Sequence, residues 1–469
     1  MSNIKFSYFN DGTNKAVVMN ALKISEDKKK LTLYALEDTS FESNVELPDY
    51  DSTISISTKS PVKGIINIGE YITDMSGDST DIIQNKIDEL SDSGGGIVWL
   101  GSGVYYISGL TMKPKVSIVG NGETKTILYR LENKTITSNV TVSDDFHSGR
   151  SFIQVPVNCS GCSISNMTLY GGATIAESSD KSTQVAGIVT YNENNVINGI
   201  NFLNAPLSMT DADGNSSNPY KVHKSSEEYT DLTPYKFCKV ENVSIIGFSG
   251  SGLIVGINCD NIIINNVTSN MNRYEGFINA GTSIQSSNIE LIGNGGHGLY
   301  DLGSTNQYNN IKVLYNGKFS HLTLYGVYMD GEYSSINNII CSFNYCTGVK
   351  IAGIYNSISS LLSNCNGGRS SQDENGANAN ALDLSSIILT GESNSIQGRI
   401  TNSYNNSYKV ALRSFEMDEN ANNCIVDLLV SSNSGYRKSI IWPEQSLDHD
   451  VYNDSENFGN NYIKLFKVV

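Results

Sequence analysis

Two residues carry the most chemistry in this sequence. Glu275 and His297 stand 22 positions apart, and each is followed directly by glycine. If the backbone returns to one face every 22 residues, the carboxyl and the imidazole lie on neighbouring strands, about 4.8 Å apart. A carboxylic acid beside an imidazole suits a general acid with an orienting partner. Asp301 and Asp330 are the next carboxyls along the chain, one of them expected as base or nucleophile. Arg273, Tyr300, Tyr328 and Lys350 supply cations and aromatic faces with which to hold a substrate.

Thiol and metal chemistry fit less well. Of eight cysteines only Cys159 and Cys162 form a CxxC, with no second pair and no histidine at ligand spacing, so the thiols read as structural. The segment 211–231 is rich in acids, yet no EF-hand-like spacing exists there. No metal and no cofactor is expected.

Positioning Glu275 beside His297 requires a repeating fold, and the sequence repeats. A unit of apolar, polar, Asn-like, apolar recurs as Ile164-Ser-Asn-Met167, Ile197-Asn-Gly-Ile200, Val240-Glu-Asn-Val243, Ile264-Asn-Asn-Val267, Tyr308-Asn-Asn-Ile311, Ile336-Asn-Asn-Ile339 and Ile358-Ser-Ser-Leu361. Ser286-Ser-Asn-Ile289 and Ile396-Gln-Gly-Arg399 are weaker copies. The base step is 22 residues, as from 267 to 289 to 311, with insertions elsewhere. A second unit follows, a glycine and then alternating apolar positions, at Gly252, Gly276, Gly298, Gly326 and Gly348.

Short period-two strands of this kind close a core only when stacked on their neighbours. The fold class is therefore all-β: a right-handed single-stranded parallel β-helix of about a dozen turns, roughly 60 Å long at ~4.8 Å per turn. Met167, Ile200, Val243, Val267, Ile289, Ile311, Ile339 and Leu361 are expected in one inward column. Asparagine at the corners fits because it tolerates the left-handed conformation and can ladder through its amide.

Aligning the turns puts Asp301 in the column Val255/Asn279/Asp301/Met329/Ile351. Asp330 falls in Ala280/Leu302/Asp330/Ala352, on the opposite side of the strand. Ile278, Tyr300, Tyr328 and Lys350 form an outward column on what is expected to be an exposed sheet. The longest insertions hold Asp211, Asp213, Tyr220, His223, Glu227, Glu228, Tyr229, Asp231 and Tyr235 in one, and Arg369, Asp373 and Glu374 in the other. Both are expected to wall a groove.

A helix is expected over 79–92, where Ser79-Thr80-Asp81 precede Ile82, Ile83, Ile87 and Leu90 and Gly94-Gly95-Gly96 stop it; it would cover the open edge of the first coil. Residues 1–63 read as a small antiparallel β unit, with strands at 4–9, 16–24, 31–36 and 53–58. Residues 64–443 read as the β-helix, and 444–469 as a C-terminal cap or intersubunit segment. A net charge of −16 disfavours nucleic acid and anionic membranes, and no apolar stretch is long enough to span a bilayer.

The passage from Asp78 to Gly122, with Gly-Gly-Gly-Ile-Val-Trp-Leu-Gly-Ser-Gly-Val-Tyr-Tyr-Ile at its centre, resembles the opening of the pectate-lyase-like superfamily. Its tail-spike branch usually has proline where this chain has Gly101. Gly296-His297-Gly298 is similar to the Gly-His-Gly of polygalacturonase-type glycosidases, which carry an aspartate one turn earlier, at the position of Glu275. Their second and third aspartates fall on Gly276 and Ser251, and their Arg-x-Lys is echoed only by Gly348-Val-Lys350.

The resemblance implies a bacteriophage tail spike made in the host cytoplasm, carried on the virion and acting at the bacterial surface. It would bind and depolymerise a capsular polysaccharide or teichoic acid, by hydrolysis. A polysaccharide lyase, for which Arg273, His297, Tyr300 and Lys350 could serve, and a non-catalytic adhesin are the alternatives. It further implies a homotrimer joined to a tail or baseplate protein through residues 1–63.

Overall fold

The computed structural model describes residues 21–24, 31–34, 64–72, 76–131, 150–156, 159–176, 188–190, 197–202, 237–256, 259–317, 324–366, 385–402, 413–417, 420–432, 440–441, 455–458 and 461–468. The chain divides into two units, Met1–Val62 and Lys63–Val469. In the first, Ala21–Ile24 pairs antiparallel with Leu31–Tyr34, on either side of the charged run 26–30. The strands expected at 4–9 and 53–58 lie outside the described residues.

The second unit is a parallel β-helix. Thirteen strands stack in parallel from Ile65–Asn67 to Asn461–Val468 and form the first sheet. A second sheet has eleven, from Leu110–Thr111 to Ile440–Ile441. A third side is reduced to single bridges that run Asp260, Thr282, Ser304, Glu332, Ile354, Glu392, Asn422.

The first repeat unit is a bend inside the long first-sheet strands. Asn166, Asn242, Asn266, Asn288, Asn310 and Asn338 hold φ between 52° and 60°, the left-handed region that asparagine tolerates best after glycine. One such residue reverses the alternation, so Ile264 and Val267, three apart, both point inward. The exposed amides then link turns, as in Asn242 Nδ2 to Asn166 Oδ1 and Asn266 Nδ2 to Asn242 Oδ1, both 2.9 Å.

Met167, Val243, Val267, Ile289, Ile311, Ile339 and Leu361 pair rung to rung as expected, each at most 2 % exposed. Ile200 does not belong to that column. It lies in the second sheet, paired with Ile153 and Leu253, because Ile197–Phe202 lacks the left-handed bend. Likewise Ser395–Asn402 has no left-handed residue, so the register shifts by one and Gly398, not Arg399, stands beside Leu361.

The second repeat unit has a different cause. Asn272, Asn294, Asn316, Asn344 and Asn366 are fully buried and bond in series, Nδ2 to Oδ1, at 2.8–3.1 Å. Each of the later four also accepts the backbone N–H of the asparagine before it. A Cβ at Gly276, Gly298 or Gly326 would come within 2.7–2.9 Å of an Nδ2 of this ladder. The repeated glycine is there for close approach.

The helix spans Thr80–Asp92 and buries Ile83, Ile87 and Leu90. Its first turn is capped by Asp78, whose Oδ1 accepts from the Thr80 N–H at 2.9 Å; Ser79 makes no side-chain cap. Gln84 completes the seal: its carboxamide accepts from the N–H of Thr111 and donates to that residue's carbonyl, the pairing a further strand would have made. At the other end Asn461–Val468 pairs in parallel with Ile425–Ser432 and antiparallel with Ser455–Phe458, so it adds the last rung within the chain. All eight cysteines are buried thiols outside any disulfide. Among the described residues, no helix is long and apolar enough to cross a membrane.

Candidate functional site

The site residues sit on the second sheet, where the central strands are only three residues long: Leu253–Val255, Phe277–Asn279 and Leu299–Asp301. The next two rungs are Tyr325–Met329 and Thr347–Ile351. Register places Ile254, Ile278, Tyr300, Tyr328 and Lys350 in one outward column, as the sequence implies. The sheet is not the exposed one expected, however. Ile278 is fully buried and Tyr300 is 3 % exposed, in a second apolar cluster with Ile254 and Leu302 that lies outside the coil. Exposure begins at Tyr328 and Lys350, both half-buried.

Three residues back on the same rungs runs a polar column, Ser251, Glu275, His297 and Tyr325. Its register is fixed by Gly252 N–H to Glu275 O and Gly276 N–H to His297 O, each 2.9 Å. Ser251 Oγ donates to Glu275 Oε2 at 2.8 Å. Gly296 is glycine because a Cβ there would lie 2.9 Å from Glu275 Oε1. His297 Nδ1 accepts the Tyr325 N–H at 3.0 Å, which leaves the proton of the neutral ring on Nε2.

The rings of the two columns form a trough. His297 stacks on Tyr325 at 5.6 Å and 6°, and Tyr300 on Tyr328 at 4.9 Å and 6°. The two stacks tilt about 50° against each other, 49° between His297 and Tyr300 and 52° between Tyr325 and Tyr328. Lys350 closes one end, 5.1 Å above the Tyr325 ring and 5.4 Å above that of Tyr328, with Nζ donating to the Tyr325 hydroxyl at 3.2 Å.

Burial holds the Tyr300 phenol well above its usual value, and the neighbouring Tyr328, Asp330, Glu275 and Tyr325 add to it. Tyr328 is pushed up by burial first and then by Asp330, to whose carboxylate it donates. Both phenols therefore stay protonated as hydrogen-bond donors. Asp330 and Glu275 act on Tyr300 from the same outer side.

Six of the eight expected residues thus gather there: Glu275, His297, Tyr300, Tyr328, Asp330 and Lys350. Arg273 is half-buried at the start of the Glu275 rung, 5.6 Å above the Tyr274 ring. Asp301 is the correction. It faces the interior, fully buried, where Oδ1 accepts from Asn306 Nδ2 and the Tyr308 hydroxyl, both at 2.9 Å. Alternation of the strand turns it away from Tyr300, and burial raises its carboxyl above the usual range.

Tyr325 was missed, although the signal existed: it precedes Gly326 as Glu275 precedes Gly276 and His297 precedes Gly298. The acids of 211–231 and Arg369, Asp373 and Glu374 lie outside the described residues. Among the described residues, no group of histidine, cysteine, aspartate and glutamate could hold a metal ion.

The sequence matches no family model and no curated protein. Solved structures are similar to it. Full-length tailspike protein 2 from Escherichia coli O157:H7 bacteriophage CAB120 aligns with a TM-score of 0.54 at 16 % identity, over 86 % of this chain and 46 % of that one. The enzymatically active domain of bacteriophage CBA120 tailspike protein 2 gives 0.55 at 16 % identity, over 86 % and 51 %. DFA-IIIase from Arthrobacter chlorophenolicus A6 without its lid gives 0.55 at 12 % identity, over 80 % and 91 %. The chain spans about half the length of the tailspike structures. Together with the stacked parallel rungs, these likenesses establish the fold: the chain is a parallel β-helix.

Proposed function

We propose that the chain is the glycan-cleaving β-helix of a bacteriophage tail spike, cutting a bacterial surface polysaccharide by hydrolysis. The observation that carries this reading is the meeting of Glu275, His297 and the rings of Tyr300, Tyr325 and Tyr328 on the outer side of one sheet, next to the half-exposed Asp330 and Lys350. Glu275 is the acid that protonates the leaving oxygen. His297, whose Nδ1 accepts the Tyr325 N–H, orients it from the adjacent rung. Asp330 takes the role of base in place of Asp301, which belongs to the core. The rings present apolar faces to sugars, and the protonated Tyr328 donates toward Asp330. The tailspike and DFA-IIIase likenesses support a glycan-related role by analogy of fold.

Elimination is the second reading, favoured by one observation: Asp301 faces inward, which leaves Asp330 as the second carboxyl beside an imidazole, phenols and Lys350, the kinds of group that serve as base in a lyase. Product chemistry decides between them. New reducing ends without ultraviolet absorbance support hydrolysis, an absorbing unsaturated end supports elimination, and intact polymer that remains bound supports adhesion alone.

A further inference from the structure

Inside the aromatic trough, Lys350 has no carboxylate counter-charge among the described residues. Its ammonium has, among the described residues, one hydrogen bond, to the Tyr325 hydroxyl, and two ring faces. Among the described residues, no carboxylate stands within ion-pair distance of it, whereas Lys86, Lys113 and Lys312 each pair with one. The acids of the site are turned elsewhere: Glu275 accepts from Ser251 and Asp330 from Tyr328. Half-buried against two rings, the ammonium has lost part of its hydration, and ring faces replace that only in part. Arg273 repeats the pattern three rungs away, with its guanidinium over Tyr274 and no carboxylate in reach among the described residues.

The charge of the chain sharpens this. At a net −16, the field of the protein opposes an approaching polyanion, so an anionic ligand needs a local cation stripped of competing acids. Lys350 meets that condition at the half-exposed end of the trough, where a bound sugar would reach it.

We propose that Lys350 is the specificity residue for an acidic glycan, pairing its ammonium with a carboxylate or phosphate on the sugar seated over Tyr325 and Tyr328. The proposal rests on the glycan-binding reading above and names its substrate class. Lys350 holds the substrate and takes no part in bond cleavage.

The test uses the full chain on an array of bacterial oligosaccharides that carry uronate, sialate or phosphate groups, with neutral ones beside them. Dissociation constants follow for each ligand and for its carboxyl-reduced or dephosphorylated form. Wild type should bind acidic members only, and lose about 10- to 100-fold when the charge is removed. Lys350→Gln should lose as much for the intact ligand, and Lys350→Arg only a few-fold. Raising salt should weaken wild type and leave Lys350→Gln nearly unaffected. Equal binding of the neutral form, or wild-type affinity in Lys350→Gln, overturns the proposal while leaving the glycan reading in place. No binding to any glycan, acidic or neutral, overturns both. Ligand neutralisation and salt act on the wild-type protein, so the result does not depend on how well a variant folds.

Discussion

The outer sides of the two sheets are built on the same interior and have opposite character. Over Ile263–Asn270, Gln285–Ile292 and Gln307–Leu314, buried positions alternate with exposed or half-exposed ones, most of them asparagine, serine, threonine, glutamine or charged, with Ile263, Ile292 and Leu314 at the strand ends. Over Leu253–Val255, Phe277–Asn279 and Leu299–Asp301, every position is buried on either face. The first sheet spends its outward positions on water and on amide ladders that hold register. The second gathers an acid, an imidazole, phenols and apolar groups where water is scarce, which strengthens their mutual electrostatics. Stability thus comes from the shared interior, and the proposed chemistry from one outer side.

The sharpest way to break this contrast is to place the same charge on either side of one sheet. Val267→Asp puts a carboxylate between Val243 and Ile289 in the inward column and should abolish folding, read as loss of the β circular-dichroism signal. Asn309→Asp, exposed on the outer side of the first sheet, should leave stability within about 0.5 kcal/mol of wild type. A folded Val267→Asp with the parent melting temperature would show the register to be wrong.

On the other sheet the largest effect should be on rate. Glu275→Gln keeps the shape and the Ser251 hydrogen bond but removes the proton, so cleavage should fall about 10²–10⁴-fold while attachment to glycan persists. Turnover assays alongside a binding assay check this. Unchanged cleavage would remove Glu275 as the acid and return attention to the insertion acids at 211–231.

The buried amide ladder tests whether glycine spacing and asparagine spacing are one device. Asn294 donates to Asn316 Oδ1 and Ser269 O and accepts from Asn272 N and Nδ2. Asn294→Leu strands those groups and presses on Gly276, and should cost about 3–5 kcal/mol, read by denaturant titration. A loss below about 1 kcal/mol would reduce the ladder to ornament.

The repeat was legible because each copy carries a steric requirement: a left-handed residue at the bend, a glycine where Nδ2 of the ladder intrudes. Where a copy resembled the unit in letters alone, as at Ile197-Asn-Gly-Ile200, sequence assigned the wrong sheet, since only φ distinguishes a bend from a straight strand. The site was legible in register, since period two and the 22-residue step fix which residues share a column. Burial was not legible there. Nothing in Ile278 or Tyr300 says that an outward position will be covered, and alternation alone cannot say that Asp301 is tolerated inside. That tolerance comes from Tyr308 and Asn306, which both donate to its Oδ1, and the Tyr308 ring stands beside the small Ser286 of the previous rung.

Asp301 offers the finest test, since it lies one residue from the trough and on the other side of the strand. Its carboxyl is raised above the usual value near 3.8 chiefly by burial, against the lowering effect of its hydrogen bonds. A raised acid favours the protonated folded state, so its contribution to stability is full below pH 3.8 and is lost as the pH climbs through the raised value. Asp301→Asn keeps an acceptor for Asn306 and Tyr308 while removing the charge that burial penalises. Its melting temperature should exceed that of wild type at pH 7, and the two curves should converge as the pH falls below the usual carboxylate range. Cleavage by the variant should match wild type, because the side chain faces the interior. A variant with an unchanged melting profile and lost cleavage would instead place Asp301 in the chemistry, and with it the division between a stabilising interior and a reactive outer side would fail at this strand.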